Sequence, residues 1–561
     1  MNLPGRPAPP EPSEREGEAT AVAAAGDSVT IAGWTLVSRL TGFLRLAVIG
    51  AVLGPTLLGN TFQFANSLPN LVYYGFLAGS LFSSLLVPPL VTTLERGDRH
   101  AAARIAGGFL GVALSGLALA ACAAVLVGPL LLRLSDVGLQ AGTAGAAQER
   151  VARLLLLLLM PQVLLYALAG TAVAVMNARR RFALAAAAPA LENVVLLVIL
   201  GLTALLYGSI DPIDRVPGGK LVLLGCGATA AVGVHAAVQW WGARRAGVTV
   251  RPRAGWRDPE VRALARRAMP ALGVAALAAL QMLAVLLLAN RVPGGVVAAE
   301  MGMTFYQVVV ALGAAPVALA LLPRLARLHA DGNRRQFQDA FARGVALILF
   351  VSVPAAVGYV VLARPLAEVL SVGRMGSTAG VHLVATAIAA FAPAVVGQGL
   401  FHVLSYTCYA RQDTRTPLRS MTVQTGVFVV LASGAFLVAP TNVLAVVGLS
   451  FSTATLVGAA HLGVRLRRDT GKVGGRLVPC LRRVAAGTVL MIPPAWAVAF
   501  LVPRWIDSRP GWLIAAVTAA LVGAAVFLLV QAWWRAPELA WVIGSLGRAR
   551  RRADVAGGDL G

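Results

Sequence analysis

Residues 37–88 read VSRLTGFLRLAVIGAVLGPTLLGNTFQFANSLPNLVYYGFLAGSLFSSLLVP. Two apolar helices lie back to back here, joined by a short uncharged turn. Arg39 and Arg45 sit inside the first, with flanks apolar enough for lipid. A guanidinium at membrane depth costs at least about 2.5–3.5 kcal/mol, so it faces a cavity or a partner. Six helical residues set the two arginines about 9 Å apart along the axis and about 120° apart around it. They can line adjacent walls of one cavity. For Arg39 a second reading stands, in which the side chain snorkels to the headgroups.

Composition extends this to the whole chain. With 58% hydrophobic and 13% charged residues, the 561-residue sequence reads as an all-α polytopic membrane protein. A net charge of +24 would suggest nucleic acid in a soluble chain. Here the basic residues fall between apolar runs, so the membrane surface accounts for them and no nucleic-acid partner is expected. Cys122, Cys226, Cys408 and Cys480 are scattered without metal-like spacing.

Fourteen apolar segments are long enough to span, near 28–53, 61–92, 103–133, 150–176, 184–208, 219–243, 262–290, 297–323, 338–362, 381–409, 418–438, 442–466, 480–503 and 511–535. With the N-terminus inside, inner loops and tails hold 36 lysines and arginines and outer loops 10. That asymmetry puts both termini in the cytoplasm. Residues 1–27, rich in Pro, Glu, Gly and Ala, read as a disordered cytoplasmic tail, and 536–561 as a basic one.

The chain also repeats itself. Pro161 is followed by Asn177-Ala178-Arg179, and Pro393, 232 positions on, by Tyr409-Ala410-Arg411. LLVPPLVTTLERGDR (85–99) returns as ALLPRLARLHADGNR (320–334). Six segments separate the copies, an even number, so both keep one orientation. The expected architecture is two six-helix lobes, 28–243 and 262–466, related by an axis along the membrane normal, with the substrate path between them. Helices 13 and 14 (480–535) stand outside the repeat.

Missing motifs narrow the function. The chain has no GxxxxGK[ST], no HExxH and no plausible Ser-His-Asp set. Its carboxylates lie mostly in loops beside arginines, and none stands out inside the first lobe. A secondary transporter fits better than an enzyme. With no acidic residue near them in sequence, Arg39 and Arg45 are expected to be free for an anion.

Several stretches resemble the MurJ (MviN) family of lipid II flippases, in the superfamily of multidrug and polysaccharide-lipid exporters. They are SRLTGFLR (38–45), LPNL (68–71) with Gly79-Ser80 and Val87-Pro88, MNARRRFALAAAAPALENV (176–194), LLPRL (321–325) and YARQDTRTPL (409–418). The resemblance covers roughly 30–535. It implies movement of an undecaprenyl-pyrophosphate-linked disaccharide-pentapeptide from the inner to the outer leaflet of the bacterial cytoplasmic membrane. The pyrophosphate would be held by Arg39 and Arg45 through charge-assisted bidentate hydrogen bonds. Other expected cavity positions depart from the family. Asn60 stands where an acidic residue is common, Tyr73 and Tyr74 where basic residues are, Ala78 for a glutamate and Thr304 for an arginine. A flippase for another polyprenyl-linked glycan, or a non-transporting scaffold for cell-wall synthesis proteins, is the alternative. No cofactor is expected; coupling to an ion or to the membrane potential stays open.

Three further groups have two readings each. Tyr73 and Tyr74 stack on sugar rings or pack in the interior. Arg411, Asp413 and Arg415, with Arg419, form a cytoplasmic gate or a solvated loop. Gln398 and His402 face the cavity or bond between helices.

Overall fold

The structure, a computed structural model, describes residues 12–77, 79–135, 143–179, 181–208, 212–470, 474–506 and 508–541. Their regular structure is helical: α1 (Pro12–Leu53), α2 (Leu57–Leu77), α3 (Gly79–Glu95), α4 (Arg99–Ser135), α5 (Thr143–Leu159), α6 (Gln162–Ala178), α7 (Phe182–Tyr207), α8 (Gly218–Arg245), α9 (Pro259–Ala289), α10 (Gly295–Val309), α11 (Ala315–Ala330), α12 (Arg334–Leu370), α13 (Thr378–Phe391), α14 (Ala394–Ala410), α15 (Arg415–Ala432), α16 (Val443–Thr470), α17 (Gly474–Trp505) and α18 (Arg509–Trp533). Helix α1 starts at Pro12, inside the stretch expected to be disordered. The Glu- and Ala-rich run that precedes the apolar part has high helix propensity and extends the helix backwards.

Among the described residues, twelve helical stretches are long and apolar enough to cross a membrane. The expected segments 61–92 and 418–438 are also helical, as α2–α3 and α15. Their polar side chains point inward: Asn60, Thr61 and Gln63 of α2 and Ser420, Gln424 and Thr425 of α15 are all buried. A helix enclosed by protein needs less apolar surface than one facing lipid.

Helix α1 packs along α7, α7 on α8, α8 on α6 and α6 on α3. A second group forms from α10 with α13, α12 with α13 and α14, and α16 with α13, α14 and α15. Helix α9 completes the second group against α15 and touches α2 of the first, and α1 meets α10. Helices α17 and α18 pack on each other and on α12. Arg483 of α17 is also clamped by both carboxylate oxygens of Glu538, at 2.9 and 3.1 Å.

The sequence repeat is written into the backbone. The α5–α6 break falls at Met160-Pro161 and the α13–α14 break at Ala392-Pro393, because proline has no N–H for the ladder. The Val163 amide then bonds to the Met160 carbonyl at 3.0 Å, and the Val395 amide to the Ala392 carbonyl at 3.1 Å. The turn after α3 uses Gly97 at φ 77°, and the turn after α11 uses Gly332 at φ 68°. Each is followed by a cap, Asp98 Oδ1 accepting from the Ala101 amide and Asn333 Oδ1 from the Gln336 amide.

Candidate functional site

One face of α1 is committed to α7. Asn193 Nδ2 donates to the Ser38 carbonyl at 3.2 Å and to Thr41 Oγ1 at 3.1 Å. One turn further, Arg45 Nη1 lies 4.0 Å from Glu192 Oε1. The same oxygen accepts from the Tyr166 hydroxyl at 3.0 Å, and Glu192 Oε2 lies 2.6 Å from His235 Nδ1. Gln239, one turn along α8, brings its Nε2 to 3.4 Å from His235 Nε2 and donates to the Ala185 carbonyl at 3.1 Å. Glu192 and His235 are each only 8% exposed. Four helices thus enclose a polar cluster of Arg45, Tyr166, Glu192 and His235 at membrane depth. The expectation of free arginines is corrected for Arg45: its carboxylate partner is 147 positions away in the chain, on α7. The expectation that no carboxylate stands out within the first group of helices is corrected by the same residue.

A second cluster lies on the seam between the two groups. The Glu300 carboxylate on α10 accepts from Gln63 Nε2 and from the Ser67 hydroxyl, both on α2. Arg45 acts electrostatically on Glu300 as well as on Glu192. Toward the α1–α2 turn, Asn60 closes the seam. Its Nδ2 donates to the carbonyls of Asn290 at 3.3 Å and Val292 at 2.7 Å, and its Oδ1 accepts from the Val296 amide at 3.1 Å. Gln148 Nε2 donates to Asn290 Oδ1 at 3.1 Å. Arg374, in the α12–α13 turn, donates from Nη1 to the Val52 carbonyl at 2.9 Å and from Nη2 to the Gly208 carbonyl. Gly294, at φ 80°, rests against Pro55, where a Cβ would come within 2.6 Å of backbone. These hydrogen bonds join the two groups between the arginine-poor end and the bundle's middle.

The remaining expected residues spread out. Arg39 is half-buried on another face of α1, one turn toward the arginine-rich end from Phe43. The Phe43 ring meets Phe305 of α10 at 5.1 Å, and Phe305 meets Tyr359 at 5.3 Å. Arg39 therefore borders the α1–α10 contact from the arginine-rich side. Tyr73 is buried with its ring 5.8 Å from that of Tyr166, so it backs the Glu192 cluster. Tyr74 lies on α2, but its side chain is outside the described residues, as is Ala78. Thr304 donates to the Glu300 carbonyl of its own helix at 2.7 Å. Both amide hydrogens of Asn60 are used within the protein. His402 stacks on Tyr406, centroids 6.4 Å apart.

At the arginine-rich end, Asp413 Oδ1 accepts from the backbone amides of Arg415 and Thr416, each at 3.0 Å. This caps the start of α15. Partial burial pushes the Asp413 carboxyl up, but hydrogen bonds from Thr416 and Arg415 and the Arg411 charge outweigh it and hold the carboxyl below its usual range. Arg411 and Arg415 flank this capped turn. Among the described residues no three His, Cys, Asp or Glu side chains gather as a metal site.

The family model described as Lipid II flippase MurJ matches residues 49–508. The probable lipid II flippase MurJ of Vibrio cholerae is 27% identical over 405 residues, covering 70% of this chain and 73% of its own length. The lipid II flippase MurJ of Burkholderia cenocepacia is 24% identical over 527 residues, covering 90% of this chain and 96% of its own. Among solved structures, a lipid II flippase MurJ in an inward closed conformation superposes with a TM-score of 0.67 at 16% identity, over 90% of this chain and 99% of that one. An inward-facing MATE family transporter of the MOP superfamily gives 0.61 at 12% identity, over 80% and 99%. The structural likenesses speak for the fold.

Proposed function

Because this chain belongs to the lipid II flippase MurJ family, we propose that it carries lipid II from the inner to the outer leaflet of a bacterial cytoplasmic membrane by alternating access. The arginine-rich end is cytoplasmic and both termini lie inside. The observation that carries the mechanism is the seam: Asn60, Gln148 and Arg374 tie the two groups of helices together at the arginine-poor end. That is the arrangement of a transporter closed to the outside.

In this reading the two groups of helices are lobes that rock about the substrate path. The lipid headgroup enters from the cytoplasmic side past Arg39, which borders the α1–α10 contact. Its pyrophosphate then reaches Arg45, whose guanidinium exchanges the 4.0 Å pairing with Glu192 for bidentate bonds to phosphate oxygens. The polyprenyl tail stays in the bilayer. Release of the Asn60 and Arg374 contacts opens the other side. The chain acts as a secondary-type transporter. Cell-wall synthesis enzymes that consume lipid II at the outer surface are its functional partners.

The test is complementation of a flippase-depleted bacterium, read as lipid II accessible at the outer leaflet. Rescue is expected, and its loss in Arg39→Ala and Arg45→Ala variants that still insert. Insertion without any outer-leaflet lipid II would overturn the reading in favour of a scaffold.

A further inference from the structure

The Glu192–His235 pair has chemistry that holding an anion does not require. We infer that it is a proton-binding site linked to the substrate anion, in which the bound proton releases Arg45 from Glu192. This rests on the proposed pyrophosphate substrate and adds the ion that its binding takes up.

Geometry fixes where the proton goes. His235 Nδ1 is 2.6 Å from a carboxylate oxygen, so Nδ1 carries a hydrogen and donates it. The open position is Nε2, which faces the Gln239 amide at 3.4 Å. Gln239 Oε1 is buried and has no hydrogen-bond partner. Turning that amide over presents Oε1 to a protonated Nε2–H. An acceptor for the added proton is therefore within reach of the ring, in exchange for the amide's bond to the Ala185 carbonyl.

Charge then decides the consequence. Without the extra proton, Glu192 balances Arg45 across 4.0 Å. With it, an imidazolium lies 2.6 Å from the same carboxylate, nearer than the guanidinium. Glu192 now balances His235, and Arg45 is left to pair with an incoming anion. The neighbouring elements bring few other ionisable groups. Helix α1 brings Arg45, α6 brings Tyr166 and α2 brings Tyr73 against Tyr166. Across the seam, α10 brings Glu300, which Arg45 also reaches electrostatically. On α5, Glu149 is engaged by Arg133 at 4.0 Å and Arg153 at 2.9 Å, near the arginine-poor end.

The second group of helices shows that packing alone does not demand these charges. Positions 45, 166, 192 and 235 correspond to Gln281, Gln398, Gln424 and Gly458. The breaks at Pro161 and Pro393 align 166 with 398, and one matching contact in each group aligns 235 with 458. Thr229 Oγ1 donates to the Leu158 carbonyl at 2.6 Å, and Ser452 Oγ to the Ala390 carbonyl at 2.7 Å. Gln424 Nε2 donates to Gln281 Oε1 at 3.1 Å where Glu192 and Arg45 pair.

The experiment uses the full chain in lipid nanodiscs with undecaprenyl pyrophosphate as the probe. Calorimetry in two buffers of different ionisation enthalpy counts protons taken up on binding. The expected result is uptake of up to one proton, with affinity tightening as pH falls, by at most about tenfold per unit. Glu192→Gln and His235→Gln should each remove that uptake. The His235 variant stands alone should the Glu192 variant not fold, and the probe's own titration cancels in the difference from the parent. Binding without uptake, or undiminished uptake in His235→Gln, would overturn this inference and leave the transport reading intact. Failure of the parent to bind the probe at any pH would overturn the substrate reading, and this inference with it.

Discussion

The two groups of helices solve the same packing problem with different chemistry. Where α1 meets α7, Arg45 faces Glu192 at 4.0 Å; where α9 meets α15, Gln281 accepts from Gln424 at 3.1 Å and donates to Thr425 at 2.7 Å. His235 fills the place that Gly458 leaves to the Gln424 side chain, whose Oε1 would lie 2.5 Å from a Cβ there. Neutral amides suffice to join two helices in the interior. Charges at the matching place carry a desolvation penalty that amides largely escape, so their presence on one side marks work other than cohesion.

Writing the second group's pair into the first is the sharpest way to break this comparison. The Arg45→Gln/Glu192→Gln double variant should insert and melt no lower than the parent, since replacing a buried ion pair with neutral partners is often neutral or better. It should give no outer-leaflet lipid II in a complementation assay. Parental transport by that variant would mean the charges are ornamental.

Each single variant should behave worse in stability than the double. Glu192→Gln takes from the half-buried Arg45 its nearest carboxylate, and Arg45→Gln leaves Glu192 with His235 and Tyr166 alone; each should cost about 1–3 kcal/mol, read as a lowered melting temperature in detergent. Most of that loss should return in the double variant. Additive losses would show that the two side chains are not coupled.

A smaller effect is expected at the seam. Asn60→Ala removes three hydrogen bonds to the α9–α10 turn and should destabilise the closed arrangement by about 1–3 kcal/mol. The expected sign is faster labelling of a cysteine placed at Thr56 by a membrane-impermeant reagent, in a background lacking the native cysteines. Unchanged labelling would remove Asn60 from the closure.

The smallest effect concerns corresponding turns. The backbone amides of Arg181 and Asp413 bond to the Met176 and Cys408 carbonyls at 2.9 and 3.0 Å, but only the second turn carries a capping carboxylate. Asp413→Ala should cost about 0.5–1 kcal/mol at neutral pH. Because folding lowers this carboxyl, its contribution is full above the ordinary carboxylate value and fades as pH falls through the lowered one. Parent and variant melting curves should therefore converge only in strongly acid solution. A difference unchanged at low pH would assign the effect to packing.

Much of this was legible in the chain. Pro161 and Pro393 announced matching helix breaks because the ring removes a donor wherever it stands. The arginine asymmetry and the apolar runs carried the multi-pass architecture. Glu192 and His235 were legible too, as ionisable residues within the segments 184–208 and 219–243. A carboxylate inside a span is a signal in its own right, as much as an arginine there. Asn60 and Thr304 could not be placed by matching positions to a family. Whether the Asn60 amide meets a ligand or backbone depends on the α9–α10 turn, far off in the chain, whereas the Thr304 hydroxyl bonds locally to the carbonyl one turn back in its own helix.

By itself the sequence determined that the chain is helical, lies in a membrane and is built from a repeated unit. Those properties follow from local composition and from proline and glycine, whose effects act within a few residues. Only the tertiary structure decided which arginine is paired. Arg45 and Glu192 are far apart along the chain, and their pairing exists only because α1 packs on α7 with Gly42 and Asn193 in register. The same holds for the seam, where α2 meets the α9–α10 turn. Electrostatic and hydrogen-bond partners are chosen by distance in space, and folding sets that distance.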